Sequence, residues 1–253
     1  MYSQNYSLNS QLKIWMITLL LMIMLIILVG GLTRLTDSGL SITTWELFVG
    51  TLPPLTSDKW IEYFDLYKTI PEFKEQNFNM TLNEFKIIFW WEWAHRQLGR
   101  LIGLTVLLPM IYFTIKNGFW ILREYSIIFF LVCFQGFIGW YMVSSGLIDR
   151  IDVSHYRLSL HLVTAFIILS IVFWKYLNLT DIKINHINIQ LKPIKFFLLL
   201  LFLQLIIGAF VSGMDAGKIY NTWPLMGSSY FPDDSVINDL FNLTVFDDQS
   251  LVQ

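Results

Sequence analysis

The sequence predicts an all-α integral membrane protein. Of its 253 residues, 55% are hydrophobic and only 14% are charged, whereas soluble domains carry roughly a quarter charged residues. The mean hydropathy is +0.56. The net charge is −2 and the polar residues are confined to the segments between long apolar runs, so membrane lipid is the expected surrounding and nucleic acid is not an expected partner.

Five apolar stretches are long enough to cross a hydrocarbon core of about 30 Å as helices, which takes roughly 20 residues each. We place them at residues 14–33, 87–116, 125–145, 156–177 and 194–213. Before the second stretch, Thr81 and Glu84 have the spacing of a capping box, in which both side chains satisfy free N–H groups at a helix start. The second helix should therefore begin before the membrane does.

Lysine and arginine in the connecting segments predict the orientation, because positive residues are retained on the cytoplasmic or matrix side. The segment 34–86, called the outer loop below, has five basic and eight acidic residues, and the tail after Met214 has one Lys and six Asp. Basic residues outnumber acidic ones in the other connections. We expect a multi-pass protein of a bacterial cell membrane or the mitochondrial inner membrane, with the N-terminus on the cytoplasmic or matrix side.

An internal repeat indicates two related halves. Four residues of one pattern recur at a constant offset of 178: Gly30, Asp37, Gly39 and Trp45 match Gly208, Asp215, Gly217 and Trp223. The second copy would run past Gln253. We therefore predict a four-helix bundle with its outer loop over residues 1–190, followed at 191–253 by the first helix of a second, pseudo-symmetric bundle.

Ionisable side chains inside membrane spans are costly and mark candidate sites. In the second span, Glu92 and His95 are three positions apart on one helical face, and Arg96 and Arg100 share the adjoining face. The fourth span offers its own group at its outer end, which consists of His155, Arg157 and His161.

One histidine of the fourth span is the better ligand candidate. His155 and His161 are about 240° apart around the helix, so they cannot serve one site equally well. We favour His161, which is deeper in the apolar run. Gly30 and Gly31, in the first span, indicate close packing between helices.

Two histidines at similar depth on facing helices, with arginines nearby, suit an iron porphyrin. Its iron takes imidazole nitrogens axially and its propionates pair with guanidinium groups. We expect His95 and His161 to be the metal ligands. The other candidates for contact with the porphyrin are Arg96, Arg100, Arg157 and His155. Zinc fits less well, because no Cys, Asp or third His stands nearby to complete a tetrahedral set.

At these residues the sequence resembles the haem A synthase family, in particular its mitochondrial and alphaproteobacterial branch. The similar stretches cover nearly the whole chain: GGLTRLTDSGLSITTW at 30–45, LPPL at 52–55, PEFK at 71–74, LNEFKIIFWWEWAHRQLGRLIG at 82–103, FQGFIGWYMVSSGL at 134–147, SHYRLSLHL at 154–162 and DAGKIYNTWPLM at 215–226. Together these stretches are specific to the family.

The resemblance implies an eight-helix protein of two four-helix bundles. It also implies an activity, the oxidation of the methyl group at porphyrin position 8 of haem O to a formyl group with oxygen from water. The product, haem A, goes to cytochrome c oxidase. By the same resemblance His95 and His161 hold the substrate haem, Glu92 belongs to the reaction site, and a haem b in the second bundle passes electrons.

No histidine follows His186, so we expect the haem b site outside these 253 residues. The expected partners are haem O synthase, cytochrome c oxidase assembly factors, an electron carrier such as a ferredoxin, and further copies of the chain in a homo-oligomer. Two other functions stay open: a b-type membrane cytochrome in electron transfer, and a haem chaperone for oxidase assembly.

Overall fold

The computed structural model describes residues 2–45, 49–180, 191–222, 224–231 and 246–252. The helices, in chain order, are α1 (Tyr2–Leu35), α2 (Ser57–Tyr67), α3 (Pro71–Glu75), α4 (Leu82–Asn117), α5 (Trp120–Asp149), α6 (His155–Leu179), α7 (Leu191–Gly213) and α8 (Gln249–Val252). Within the described residues, α1, α4, α5, α6 and α7 are long and apolar enough to cross a membrane. The predicted all-α membrane fold with five spans is confirmed.

The chain divides into two compact units. The first comprises Met1–Asp152 and Thr164–Asn188, and the second comprises Val153–Val163 and Ile189–Gln253. In the first unit α1 packs along α4 and α4 packs along α5. The predicted division into a bundle at 1–190 and a second bundle beginning at 191 stays a prediction.

The start of α4 is fixed by the capping box that the sequence predicts. The N–H of Thr81 donates to Glu84 Oε2 at 2.8 Å, and the N–H of Glu84 donates to the Thr81 hydroxyl at 3.4 Å. From this cap α4 continues for 36 residues, about 54 Å at 1.5 Å per residue. Because this exceeds the hydrocarbon thickness of about 30 Å, α4 extends beyond the membrane.

Pro109 leaves a backbone carbonyl of α4 without its usual helical donor, and α1 supplies another. A proline has no N–H, so the carbonyl of Thr105, four residues earlier, loses its intrahelical partner. The indole Nε1 of Trp15 donates to that carbonyl at 2.7 Å. The indole is only 5% exposed, with ring centroids of Phe113 and Tyr125 at 5.8 and 5.1 Å. This contact ties α1 to α4 within the membrane.

The internal repeat is visible in the backbone. Asp37 and Asp215, 178 residues apart, have φ values of 47° and 53° and are the two non-glycine residues with positive φ among those described. Aspartate tolerates this left-handed region better than most residues. Each follows the end of an apolar helix and pairs with a cation, Arg34 at 2.6 Å and Lys218 at 3.0 Å respectively. Of the repeated residues, Trp223 lies outside the described part.

The outer loop is closed by a buried polar cluster beside α4. The hydroxyl of Tyr67 donates to Glu72 Oε1 at 3.0 Å, and Asn77 Nδ2 donates to the Tyr67 oxygen at 2.8 Å. Tyr67 is fully buried and Glu72 is 3% exposed. The rings of Phe64 and Tyr67 pack on Phe85 of α4, with centroids at 5.1 and 5.2 Å. These contacts dock α2 on the start of α4 and join α3 to α2.

The Glu72 carboxyl makes the stability of this cluster depend on pH. Burial raises its pKa to about 8, and the nearby charge of Glu92 adds to the effect. Burial also raises the pKa of Tyr67, so this hydroxyl stays a donor. The folded loop keeps the Glu72 proton up to about pH 8, whereas an unfolded glutamate loses it near pH 4.5. Stability should therefore fall as pH rises through this interval.

Glu72→Gln should remove that dependence. In the unsubstituted chain we expect amide exchange protection of α2 and α3, corrected for intrinsic rates, to fall about tenfold or more between about pH 5 and pH 8.5. The Gln variant should show a flat profile. Glu62→Gln is the control, because Glu62 lies on α2 with its side chain 56% exposed. An equal decline in the Glu72→Gln chain would show that another group titrates.

Candidate functional site

The carboxylate of Glu92 is buried where the outer loop returns onto α4. Its Oε2 accepts hydrogen bonds from the Ser41 hydroxyl and the Ile42 N–H, both at 2.7 Å. Its Oε1 accepts from Nε and Nη2 of Arg96, at 3.0 and 2.5 Å. All four contacts are donors, which suits an anion, because a protonated carboxyl group would itself need an acceptor.

The guanidinium of Arg96 links that carboxylate to the loop backbone. Nη2 also donates to the Ile42 carbonyl at 2.8 Å, and Nη1 donates to the Thr44 carbonyl at 3.1 Å. The guanidinium carbon lies 5.5 Å from the ring centroid of Trp45. With Glu92, these contacts engage most of the five N–H groups of the side chain. The guanidinium of Arg96 thus holds the outer loop against α4.

His95 faces α1 at a glycine. A Cβ built at Gly30 would lie 3.0 Å from His95 Nε2 and 3.3 Å from Cδ2, closer than most real Cβ contacts, whereas a Cβ at Gly31 would meet no atom within 4 Å. A side chain at residue 30 would therefore push the imidazole away from its position. Of the two glycines predicted to allow close helix packing, Gly30 is the one in close contact. Because it has no side chain, the His95 ring can lie against α1.

A small cavity of about 10 Å³ lies between α4 and the outer loop, and it is lined by Thr44, Trp93, Arg96 and Arg100 among others. It has room for about one water molecule. Within the described part of the chain, Trp93 Nε1 and Thr44 Oγ1 are buried without a hydrogen-bond partner. At about 100° per residue, Arg100 is some 140° around α4 from His95. Both Arg96 and Arg100 line this cavity.

In the second unit, His155 is part of a packed helix contact. It is the first residue of α6 and is 9% exposed. The Phe210 ring lies 5.2 Å from its ring, and a Cβ at Gly213 would lie only 2.8 Å from its own Cβ. Its Nε2 is 3.4 Å from Asp247 Oδ1. These contacts connect α6, α7 and the residues before α8.

Arg157 and His161 follow on α6, one turn apart and both half-buried. His161 belongs to the second unit and His95 to the first. That these two histidines share one porphyrin stays a prediction. His186 lies outside the described residues.

Sequence reasoning missed Ser41 and Ile42, the two loop residues that bind the Glu92 carboxylate. The available signal was a run of hydroxyl residues after α1, but Ser41 is 51 residues from Glu92. A single sequence does not show which buried donor meets a carboxylate so far along the chain. The structure brings Glu92, Ser41, Ile42 and Arg96 together as one group.

Comparison with known proteins decides the family. The family described as cytochrome oxidase assembly protein matches residues 13–253. A haem A synthase of Pelagibacter ubique is 52% identical over 99% of this chain and 75% of its own length. The chain belongs to the haem A synthase family. No solved structure matches the chain at a significant level.

Further relatives support the same assignment. The haem A synthase of Parvibaculum lavamentivorans is 47% identical over 87% of this chain, and that of Flavobacterium psychrophilum is 44% identical over 90%. The chain spans 64% and 69% of the lengths of these two relatives. The family predicted from the sequence is confirmed, and the matches support the predicted haem A synthase function. The family consists of membrane oxidoreductases of haem A formation, which handle haem as substrate and product.

Arg96→Met should be strongly destabilising, because it leaves the Glu92 anion buried without its cation. Removal of one partner of a buried ion pair costs about 3–5 kcal/mol. The double variant Glu92→Gln/Arg96→Met should cost less than Arg96→Met alone, since no charge is then left unpaired. Chemical unfolding in detergent micelles measures both free energies.

Lys59→Met is the matched control for this cycle. Lys59 pairs with Glu62 at 2.7 Å, but both side chains are more than half exposed, so its loss should cost under about 1 kcal/mol. If Arg96→Met costs no more than Lys59→Met, the Glu92–Arg96 pair does not anchor the loop.

Proposed function

We propose that this chain oxidises the methyl group at porphyrin position 8 of haem O to the formyl group of haem A, with water as the source of oxygen. The methyl group first becomes an alcohol and then a hydrated aldehyde, which loses water. Overall, haem O and one water give haem A, four protons and four electrons. The electrons leave to an external one-electron carrier such as a ferredoxin.

The observation that carries the proposal is the position of His95 at the contact between α1 and α4. Its Nε2 edge lies so close to the backbone of Gly30 that a Cβ there would be only 3.0 Å away, so Gly30 sets where the imidazole lies. Imidazole nitrogen is a common haem ligand. An imidazole held in one place at this end of α1 and α4 supports a haem substrate there.

Glu92 is proposed to act as a fixed negative charge near the reacting carbon. Four donors hold its carboxylate, so it is preorganised, and a fixed charge best stabilises positive charge that develops during oxidation. Because both oxygens are engaged, we favour this role over direct proton transfer. Ser41 and Arg96 are then positioning residues that aim the carboxylate.

The other predicted site residues take different roles. We propose His161 as the second axial ligand of the substrate, and Arg100 and Arg157 as the better propionate partners, since Arg96 is committed to the loop. For His155 we propose a packing role, given its contacts with α7. We assign no residue of this chain to haem b.

The cellular setting is also part of the proposal. The charge pattern supports the N-terminus on the cytoplasmic or matrix side of a bacterial or mitochondrial inner membrane, with the outer loop on the other side. The substrate would come from haem O synthase, and the product would pass to assembly factors of cytochrome c oxidase. We propose a homo-oligomer as the functional form.

Gly30→Ala tests this function, with Gly31→Ala as its matched control. The added methyl group at residue 30 would force the His95 ring to shift by a few tenths of an ångström. Because a misplacement of about 1 Å can lower a rate about a hundredfold, we expect a loss of roughly tenfold. The same methyl group at residue 31 meets nothing and should leave the activity intact. The measurement is chromatography of haem extracted from membranes of cells that also make haem O.

The unsubstituted chain and Gly31→Ala should yield haem A or its alcohol precursor, and Gly30→Ala should yield mainly haem O. Two outcomes contradict the proposal. A chain that yields only haem b would be a b-type cytochrome. A chain that yields bound but unoxidised haem O throughout would be a haem chaperone.

A further inference from the structure

A groove lies between α1 and α4, at the ends of these helices remote from Gly30 and His95. Its volume is about 480 Å³, and its walls include the apolar side chains of Ile14, Leu108 and Pro109. Ile14 is 63% exposed and Leu108 is 59% exposed. The groove is therefore open towards the surrounding lipid.

The floor of the groove is rigid and has its backbone satisfied. Trp15 donates its indole N–H to the Thr105 carbonyl that Pro109 leaves without a helical donor, and Phe113 and Tyr125 hold the indole in place. In lipid a carbonyl without a hydrogen-bond donor would be strongly unfavourable. Pro109 on α4 and Trp15 on α1 thus form a fixed groove floor. An apolar chain can lie against this floor.

The groove is formed by the same two helices that meet at His95, and its lining ends at Thr18 and Thr105. Thr105, at its near end on α4, is ten residues after His95, about 15 Å along the helix axis. On α1, Thr18 is twelve residues before Gly30, about 18 Å. Haem O differs from haem b by a hydroxyethylfarnesyl chain. The three isoprene units of this chain extend about 15 Å, at about 1.25 Å per carbon–carbon bond along the chain, which matches the distance from His95 to Thr105.

We propose that this groove binds the farnesyl chain of haem O and thereby selects haem O over haem b. The inference rests on the proposed function, because it takes the porphyrin to be bound at His95. The chain leaves lipid rather than water when it enters the groove, so close packing and not the hydrophobic effect supplies the gain. The expected preference is accordingly modest, about three- to tenfold.

The test is optical titration of the purified 253-residue chain in detergent with haem O and, separately, with haem b. The quantity of interest is the ratio of the two dissociation constants. Leu108→Trp and Ile14→Trp fill the groove from opposite walls. Leu104→Trp is the matched control, because Leu104 is on α4, is 50% exposed and does not line the groove.

The unsubstituted chain and Leu104→Trp should bind haem O about three- to tenfold more tightly than haem b. In both groove variants the ratio should approach one, with the haem b affinity unchanged. A ratio of one in the unsubstituted chain would overturn the proposal. A preference for haem O that persists in both groove variants would also overturn the proposal. It would indicate that membrane lipid occupies the groove.

His95→Ala separates this inference from the proposed function. If the porphyrin binds at His95, the variant should lose affinity for both haems. If neither affinity changes, the proposed function fails at its site, whatever the two groove variants do. If both affinities fall but the groove variants keep the preference for haem O, only the groove assignment fails.

Discussion

The hydrogen bonds to the buried carboxylate of Glu92 are the contacts on which the rest of the first unit depends. They join a side chain of α4 to the hydroxyl of Ser41 and the backbone of Ile42, so the chain that leaves α1 is tied back onto α4. Arg96 completes the junction through two loop carbonyls. His95 lies between Glu92 and Arg96 in sequence. The contacts that hold this turn of α4 therefore also hold the backbone from which the imidazole extends.

The elements that depend on local composition could be predicted from the sequence. Apolar length alone determines the five spans, and the capping box at Thr81 and Glu84 is a short-range pattern. The offset that relates Asp37 to Asp215 also pointed correctly to related structure, since both adopt the left-handed conformation. Each of these features is encoded within a few residues or in a direct repetition.

The features that depend on distant contacts could not be predicted. The role of Ser41 requires the loop to fold back over 51 residues, and the role of Gly30 requires the register between α1 and α4. Arg96 illustrates the same limit. Its position on a helical face made it a candidate propionate partner, and that role stays a prediction. Its contacts with the carbonyls of Ile42 and Thr44 follow from no pattern in the sequence.

If the imidazole of His95 binds the iron of the substrate haem, electron paramagnetic resonance of the ferric haem O complex should show it. We expect a low-spin signal from two imidazole ligands that is lost in His95→Ala and in His161→Ala. It should persist in His155→Ala, because that side chain packs against Phe210. A low-spin signal that is unchanged in His95→Ala would mean that His95 does not bind the iron.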